Sequence, residues 1–299
     1  MGDKIVSVRG NQGEWRIGII GGSGLQDLVG LKDVQEIEVS SPFGKPSAPV
    51  TLGTIGGVRF AFLPRHGQGH RISPDRINFR ANIDVLKRCG VTDILAISAI
   101  GSLREEYAPG SFVAVDQFID RTYGRDKSFF GEGLVAHVSM ADPVCPRLTA
   151  FAVEAARGAG AMVHEGGCYL AMQGPQFSTR AESRMYRQWG ADVIGMTALP
   201  EASLAREAEL PYALLAMVTD YDAWREGEAV DIAQVLSVMA ANAATAKATV
   251  ARLAALLPAQ REPSPIDRTL DSAIVTAQAQ WDLTLVAKLD AVAGRVLGL

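Results

Sequence analysis

The stretch Thr219-Asp220-Tyr221-Asp222 sets two carboxylates two residues apart, directly after the apolar run 212–218. Acids at the end of a buried strand are costly to desolvate. Burial raises a carboxyl pKa, which makes Asp220 and Asp222 candidates for general-acid chemistry. A solvated Asx turn or a metal loop would use the same residue types, but the four histidines of the chain are scattered. Arg65-His66-Gly67 follows the β-rich run that ends near Leu63. A forked guanidinium beside an imidazole suits a phosphate. His70 stands four residues after His66, a spacing a metal pair can have, but Gly67 and Gly69 oppose a helix there, so no metal is expected.

Three further motifs follow apolar runs: Gly21-Gly22-Ser23-Gly24, Ser98-Ala99-Ile100-Gly101-Ser102 and Met196-Thr197. They bring hydroxyls and bare backbone N–H groups to strand ends, where open α/β sheets bind anions. Thr197 also opens a helix, where a hydroxyl ordinarily acts as an N-cap and an anion gains from the helix dipole. A dinucleotide fingerprint fails because Asp27 stands where the third glycine belongs. Each motif alone has an ordinary structural reading as a turn, a cap or an ion pair. Together they place hydroxyls, Arg, His and carboxylates at the ends of several parallel strands, which makes a site for an anion and a polar ring.

The elements that must hold these residues alternate between short apolar runs and helical patterns, the signature of a mainly parallel α/β sheet. Strands are expected over residues 15–20, 93–98, 112–118, 168–173, 193–196 and 212–218. Residues 50–63 read as a hairpin split by Gly56-Gly57. Helices are expected over 77–89, 146–157 and 201–209, with a further one opened by the capping box Thr179-Arg-Ala-Glu182 and closed by Gly190. Ile232, Val235, Leu236, Met239, Ala243, Val250, Leu253 and Leu257 trace one face of a long helix. Residues 258–267 are polar and Pro-rich and read as a linker, and 274–296 as a second amphipathic helix. The expected architecture is α/β: a single domain with a mixed, mainly parallel central sheet flanked by helices (residues 1–257), then a C-terminal helical extension (residues 258–299).

The 299 residues are 48% hydrophobic and 21% charged, a globular composition. The net charge of −4 argues against nucleic acid as a partner. No run approaches the ~18 apolar residues of a membrane span. Three separated cysteines, Cys89, Cys145 and Cys168, suit a reducing cytoplasm.

The blocks GIIGGSGL, SPFGKPS, PRHGQGH, NFRANI, GSLREE, DQFIDRT, MADPVCP, QGPQFSTRAES, WGADVIGMTALPE and MVTDYDAW, spread over residues 17–225, resemble the trimeric nucleoside phosphorylases, and among them the 5′-methylthioadenosine phosphorylases. The resemblance implies a nucleoside phosphorylase-like fold and phosphate held by Ser23, Arg65, His66, Ser98, the Ala99 backbone and Thr197. The family's usual Thr is Ser at 23 and 98, which keeps the hydroxyl. It implies that Met196 lies under the ribose, that Phe177 and Ser178 line the base, that Tyr221 belongs to the substrate site, and that Asp220 and Asp222 meet the purine N7 and 6-amino edge. His137, reaching in from a neighbouring subunit, and Ile232, Val235 and Leu236 would surround the 5′ substituent.

The implied reaction is phosphorolysis of 5′-methylthioadenosine, a pentosyl transfer with phosphate as co-substrate and no cofactor. The implied assembly is a homotrimer or dimer of trimers. Asp at 220 favours a 6-aminopurine, because related enzymes for 6-oxopurines tend to carry Asn there. The alternatives are a 6-oxopurine nucleoside or methylthioinosine phosphorylase, a phosphate-independent nucleosidase, and a non-catalytic purine-binding protein.

Overall fold

The computed structural model describes residues 13–22, 30–226 and 231–299. Ser23 lies outside the described residues. Eleven strands form one mixed sheet: β1 (Arg16–Gly21), β2 (Lys32–Ile37), β3 (Val50–Ile55), β4 (Val58–Pro64), β5 (Asp93–Ser102), β6 (Phe112–Val115), β7 (Gln117–Arg121), β8 (Val163–Glu165), β9 (Cys168–Met172), β10 (Val193–Gly195) and β11 (Tyr212–Asp220). The main order is β2-β3-β4-β1-β5-β10-β9-β7, while β11 pairs with β5 and β6. At its centre β4, β1, β5 and β11 run parallel, so their carboxyl ends share one edge. Their burial on both faces explains why they read as continuous apolar runs. The β3–β4 hairpin turns at Gly56-Gly57, as the sequence suggests.

Helices α1 (Phe79–Arg88), α2 (Pro146–Gly158), α3 (Arg180–Gln188), α4 (Ala198–Glu207), α5 (Ile232–Leu256), α6 (Leu283–Lys288) and α7 (Asp290–Leu297) cover the sheet. On one face Leu148, Ala152, Val250 and Leu253 of α2 and α5 pack on Ile17, Ile19, Phe60 and Leu215. On the other, Val85 and Leu86 of α1 and Ala202 and Leu204 of α4 meet Ile20, Ile94 and Leu214. The Thr179–Glu182 capping box is present and opens α3.

Four expectations change in the structure. The strand expected to end at Ser98 continues to Ser102, because β10 pairs antiparallel with its last residues, Val193 opposite Ser102 and Ile194 opposite Gly101. One strand expected over 112–118 is two: at Asp116 the chain leaves β11 and β8 and joins β9, pinned by Asp116 N–H to Gly167 O at 3.2 Å. The stretch 258–267, read as a linker, carries a buried anchor. Arg261 pairs with Asp93, itself fully buried at the start of β5, and with Asp267 at 2.7 Å. Finally, the single helix expected over 274–296 breaks into α6 and α7, with Asp282 capping α6 and Leu289 non-helical between them. Its apolar pattern still serves the core, since Leu289 and Val292 are fully buried against the α1 side.

Candidate active site

A cavity of about 310 Å³ opens at the carboxyl edge of β1, β4, β5 and β11. Arg65, His66, Ser98, Ala99, Met196, Thr197, Asp220, Asp222, Phe177 and Val235 all line it. The antiparallel register of β10 and β5 brings the anion-site candidates together. With Val193 opposite Ser102 and Ile194 opposite Gly101, each step toward Thr197 is a step back toward Ser98. Their hydroxyl oxygens lie 3.2 Å apart. Thr197 is the N-cap residue of α4, yet its hydroxyl makes no capping bond, so it is left to the cavity. Its backbone N–H donates to the Tyr169 hydroxyl at 3.3 Å. That hydroxyl passes so near Gly195 that a Cβ there would sit 2.1 Å from it, so the turn into Met196-Thr197 requires glycine.

Arg65 is 2% exposed and most of its donors are already committed. Its Nε and Nη2 donate to the two carboxylate oxygens of Glu201 at 3.0 and 2.9 Å, Nη1 to Ile97 O at 2.8 Å, and Nη2 also to Ile20 O at 3.3 Å. The fork that the sequence suggests for an anion therefore clasps a carboxylate, and of a guanidinium's five N–H groups one on Nη1 remains. The Tyr212 hydroxyl donates to Glu201 Oε1 at 2.9 Å and completes the network. His66 Nδ1 donates to Ile72 O at 2.9 Å, since a carbonyl only accepts. Burial, with Arg65 and His70 nearby, pushes its pKa down to about 4, so the ring is neutral at pH 7. His70 stacks on it with ring centroids 4.1 Å apart.

At the other end of the cavity, β11 carries Asp220 over Gly101 after a register shift past Val218. Asp220 Oδ1 accepts from Asp222 N–H at 2.8 Å. Its Oδ2 lies 2.7 Å from the Thr219 hydroxyl, which also lies 3.0 Å from Ile100 O. One hydroxyl hydrogen cannot serve both acceptors, and a proton on Asp220 satisfies both contacts. Burial raises the Asp220 pKa, with Thr219 and the Asp222 N–H opposing. Asp222 is also raised by burial, partly offset by the Ser183 and Ser178 hydroxyls. It adopts a left-handed φ of +52°, and its buried Oδ2 has no hydrogen-bond partner. A left-handed backbone at a buried acid on the cavity wall is strain of the kind that gathers at functional positions.

Five residues from the sequence reading lie off the cavity lining. Ser178 is buried beside Met172, its hydroxyl 3.7 Å from the sulfur. Tyr221 turns away, donating to Glu105 O at 3.2 Å under the Arg225 guanidinium. Ile232 and Leu236 are 60% and 57% exposed, because the helix seam that meets the cavity steps from Val235 to Met239 and Ala243. His137 sits on a segment stapled to the C-terminal extension, its N–H donating to Ala273 O at 2.9 Å and Val275 N–H donating to Val135 O at 2.9 Å.

Sequence reasoning missed two residues that shape the site. Glu201, at the start of the helix expected over 201–209, gave no signal of its own. Arg125 gave no signal, because its partners are backbone carbonyls. Its guanidinium donates to Met196 O and Leu199 O at 2.8 Å and Gln173 O at 2.7 Å, tying the turn after β9 to the turn after β10. Among the described residues no cluster of His, Cys, Asp and Glu could hold a metal ion.

Residues 16–255 match the family model of the phosphorylase superfamily. The chain belongs to the phosphorylase superfamily. It is 57% identical to the S-methyl-5'-thioadenosine phosphorylase of Cereibacter sphaeroides, over 94% of this chain and 98% of that one. It is 51% identical to the enzyme of the same name from Rhodospirillum rubrum, over 94% and 97%. Among solved structures it resembles a methylthioadenosine phosphorylase from an Antarctic soil metagenomic library, with TM-score 0.89 and 42% identity over 94% of this chain and 99% of that chain. A single-site mutant of an adenosine/methylthioadenosine phosphorylase from Schistosoma mansoni, in complex with adenine, aligns with TM-score 0.78 and 36% identity, covering 94% and 98%. The superfamily match spans every strand that lines the cavity.

Proposed function

We propose that the chain catalyses phosphorolysis of 5′-methylthioadenosine, giving adenine and 5-methylthioribose 1-phosphate. One observation carries the reading. A cradle of Ser98, Thr197 and the last Arg65 N–H lies in the same cavity as the raised acids Asp220 and Asp222, in a chain 57% identical to a relative bearing that name. Breaking the purine–ribose bond builds positive charge on the sugar and negative charge on the base. Phosphate in the cradle, held by Ser23, Arg65, His66, Ser98, the Ala99 N–H and Thr197, stabilises the cation and captures C1′ with inversion. Met196 floors the ribose and Phe177, at the cavity wall, covers the base with Ser178 behind it.

Asp220 delivers the proton to N7 and also faces the 6-amino group, with Asp222 beside it on that edge of the base. The reaction needs no metal and no organic cofactor, phosphate being a co-substrate. The 5′ end lies toward Val235, where a second copy's His137 completes the pocket in a trimer or dimer of trimers. Ile232 and Leu236 would then be covered by assembly. The three cysteines are free, which suits a cytoplasmic enzyme, and residues 1–257 form the catalytic unit.

The test is base release from 5′-methylthioadenosine, adenosine, inosine and methylthioinosine, each with and without phosphate. Adenine released fastest from methylthioadenosine, and only with phosphate, supports the reading. Hypoxanthine as the preferred product would make the chain a 6-oxopurine enzyme, and release without phosphate a nucleosidase.

A further inference from the structure

We infer that Lys247, on the long helix α5, supplies the unpaired positive charge that holds phosphate in the cavity. The inference rests on the phosphorolysis reading and assigns one more residue to it. The reason is a charge count. Phosphate arrives at pH 7 as a mixture of monoanion and dianion, and an anion drawn out of water needs compensating charge. The cationic side chains among the described residues lining the cavity are Arg65 and Lys247. Arg65 brings no net charge, because Glu201 is bound bidentately to it and both are buried. His66 is neutral with its Nδ1–H spent on Ile72. The hydroxyls of Ser98 and Thr197 orient the anion without neutralising it. Left to these groups alone, the cradle sets only the partial positive end of α4 against the anion.

Lys247 has no ion pair or hydrogen bond among the described residues, which is unusual for a half-buried lysine on a cavity wall. Its place on α5 sets it on the cavity wall. Asn242 Nδ2 donates to Val218 O at 3.4 Å, fixing that part of the helix beside the carboxyl end of β11, and Ala254 passes the β3–β4 turn at Gly56. The helix thus descends from the carboxyl edge of the sheet toward its opposite edge. Long helical side chains lean toward the N-terminus of their helix, so Lys247 leans back up toward the cavity. Ala243, one turn earlier, and Ala246 are small and leave it a path along the wall. An ammonium on a flexible stem is a point charge with three donors, suited to an oxyanion that already has directional partners.

The test compares wild type with Lys247→Met and Lys247→Arg. Steady-state kinetics are measured against phosphate and methylthioadenosine separately, and the rise in Tm given by inorganic phosphate is measured alone. Losing one charged hydrogen-bond donor should raise the phosphate KM of Lys247→Met by about 10- to 100-fold. The nucleoside KM should stay within about twofold, because the neutral base and sugar do not use that charge. The phosphate-induced rise in Tm should vanish, and Lys247→Arg should restore most of it. A phosphate KM and phosphate-induced Tm rise both unchanged in Lys247→Met would overturn the inference. Loss of apparent affinity for both substrates together, with a lowered Tm and no recovery in Lys247→Arg, would overturn it as well and make the residue structural. Wild type lacking phosphate-dependent turnover would remove the phosphorolysis reading instead, while the thermal shift with phosphate would still decide on Lys247.

Discussion

Arg65 and Glu201 show how a single residue can be read correctly for type and wrongly for contact. Arginine beside histidine at a strand end is suited to phosphate, and Arg65 does line the cavity, but its fork holds Glu201. The pair is buried on both sides, so removing one charge strands the other, at a typical cost of about 3–5 kcal/mol. Glu201→Gln is therefore expected to lower Tm strongly, read by thermal melts. A variant with wild-type Tm would show that the pair contributes little. Asp220 makes the second residue-scale prediction. Asp220→Asn keeps the shape but cannot hold the transferable proton, so turnover of methylthioadenosine should fall by about 100-fold or more. Relative preference should move toward 6-oxopurines, whose O6 meets the new amide N–H. Equal losses on both purine classes would count against a role in specificity. Glu201 was hidden because its partner lies 136 positions away, and no local pattern reports a pair closed by the fold.

Among the elements, those whose signal is local were legible and those fixed by tertiary partners were not. β1, β4, β5 and β11 announce themselves as apolar runs ending in Gly, Arg, Ser or Asp. The β5 extension to Ser102 was hidden because it depends on β10 running antiparallel beside it, and that register is also what sets Thr197 opposite Ser98. The segment 258–267 looked like a linker because Pro and charged residues dominate it. Its role comes from Arg261, which reaches Asp93 across 168 positions and shares that carboxylate with Arg147. Arg261→Met should cost about 3–5 kcal/mol by leaving the fully buried Asp93 half-compensated, read as a lowered Tm. Truncation after Pro258 should be worse, since it also uncovers the α1 side that Leu289 and Val292 seal. A truncated chain melting like the intact one would mean that the extension is an appendage.

The whole molecule couples folding to pH through buried groups both on and away from the cavity wall. Glu207 on α4 accepts from Phe129 N–H and the Ser128 hydroxyl, both at 2.7 Å, and burial pushes its carboxyl up to about 7 from an ordinary 4.5. The folded state therefore keeps a proton that the unfolded chain has released, so this contribution to stability falls as pH rises from about 4.5 through 7. His66, pushed down to about 4, has the opposite slope over about 4 to 6.5, since the unfolded chain holds the extra proton there. The difference between Glu207→Gln and wild type isolates the glutamate. Its Tm difference should move in favour of the variant as pH rises across that window, and a pH-independent difference would contradict the assignment.

At this scale the chain of −4 net charge shows no helix long and apolar enough to cross a membrane among its described residues. The site of one copy also leaves Ile232 and Leu236 exposed beside a lining Val235. The central claim concerns chemistry, and phosphorus follows it directly. With methylthioadenosine and inorganic phosphate, ³¹P NMR should show a sugar 1-phosphate resonance growing in step with adenine, one phosphate consumed per base released. Adenine appearing while the inorganic phosphate signal stays constant would mean that water, not phosphate, attacks the sugar, and the account of the anion cradle would fail.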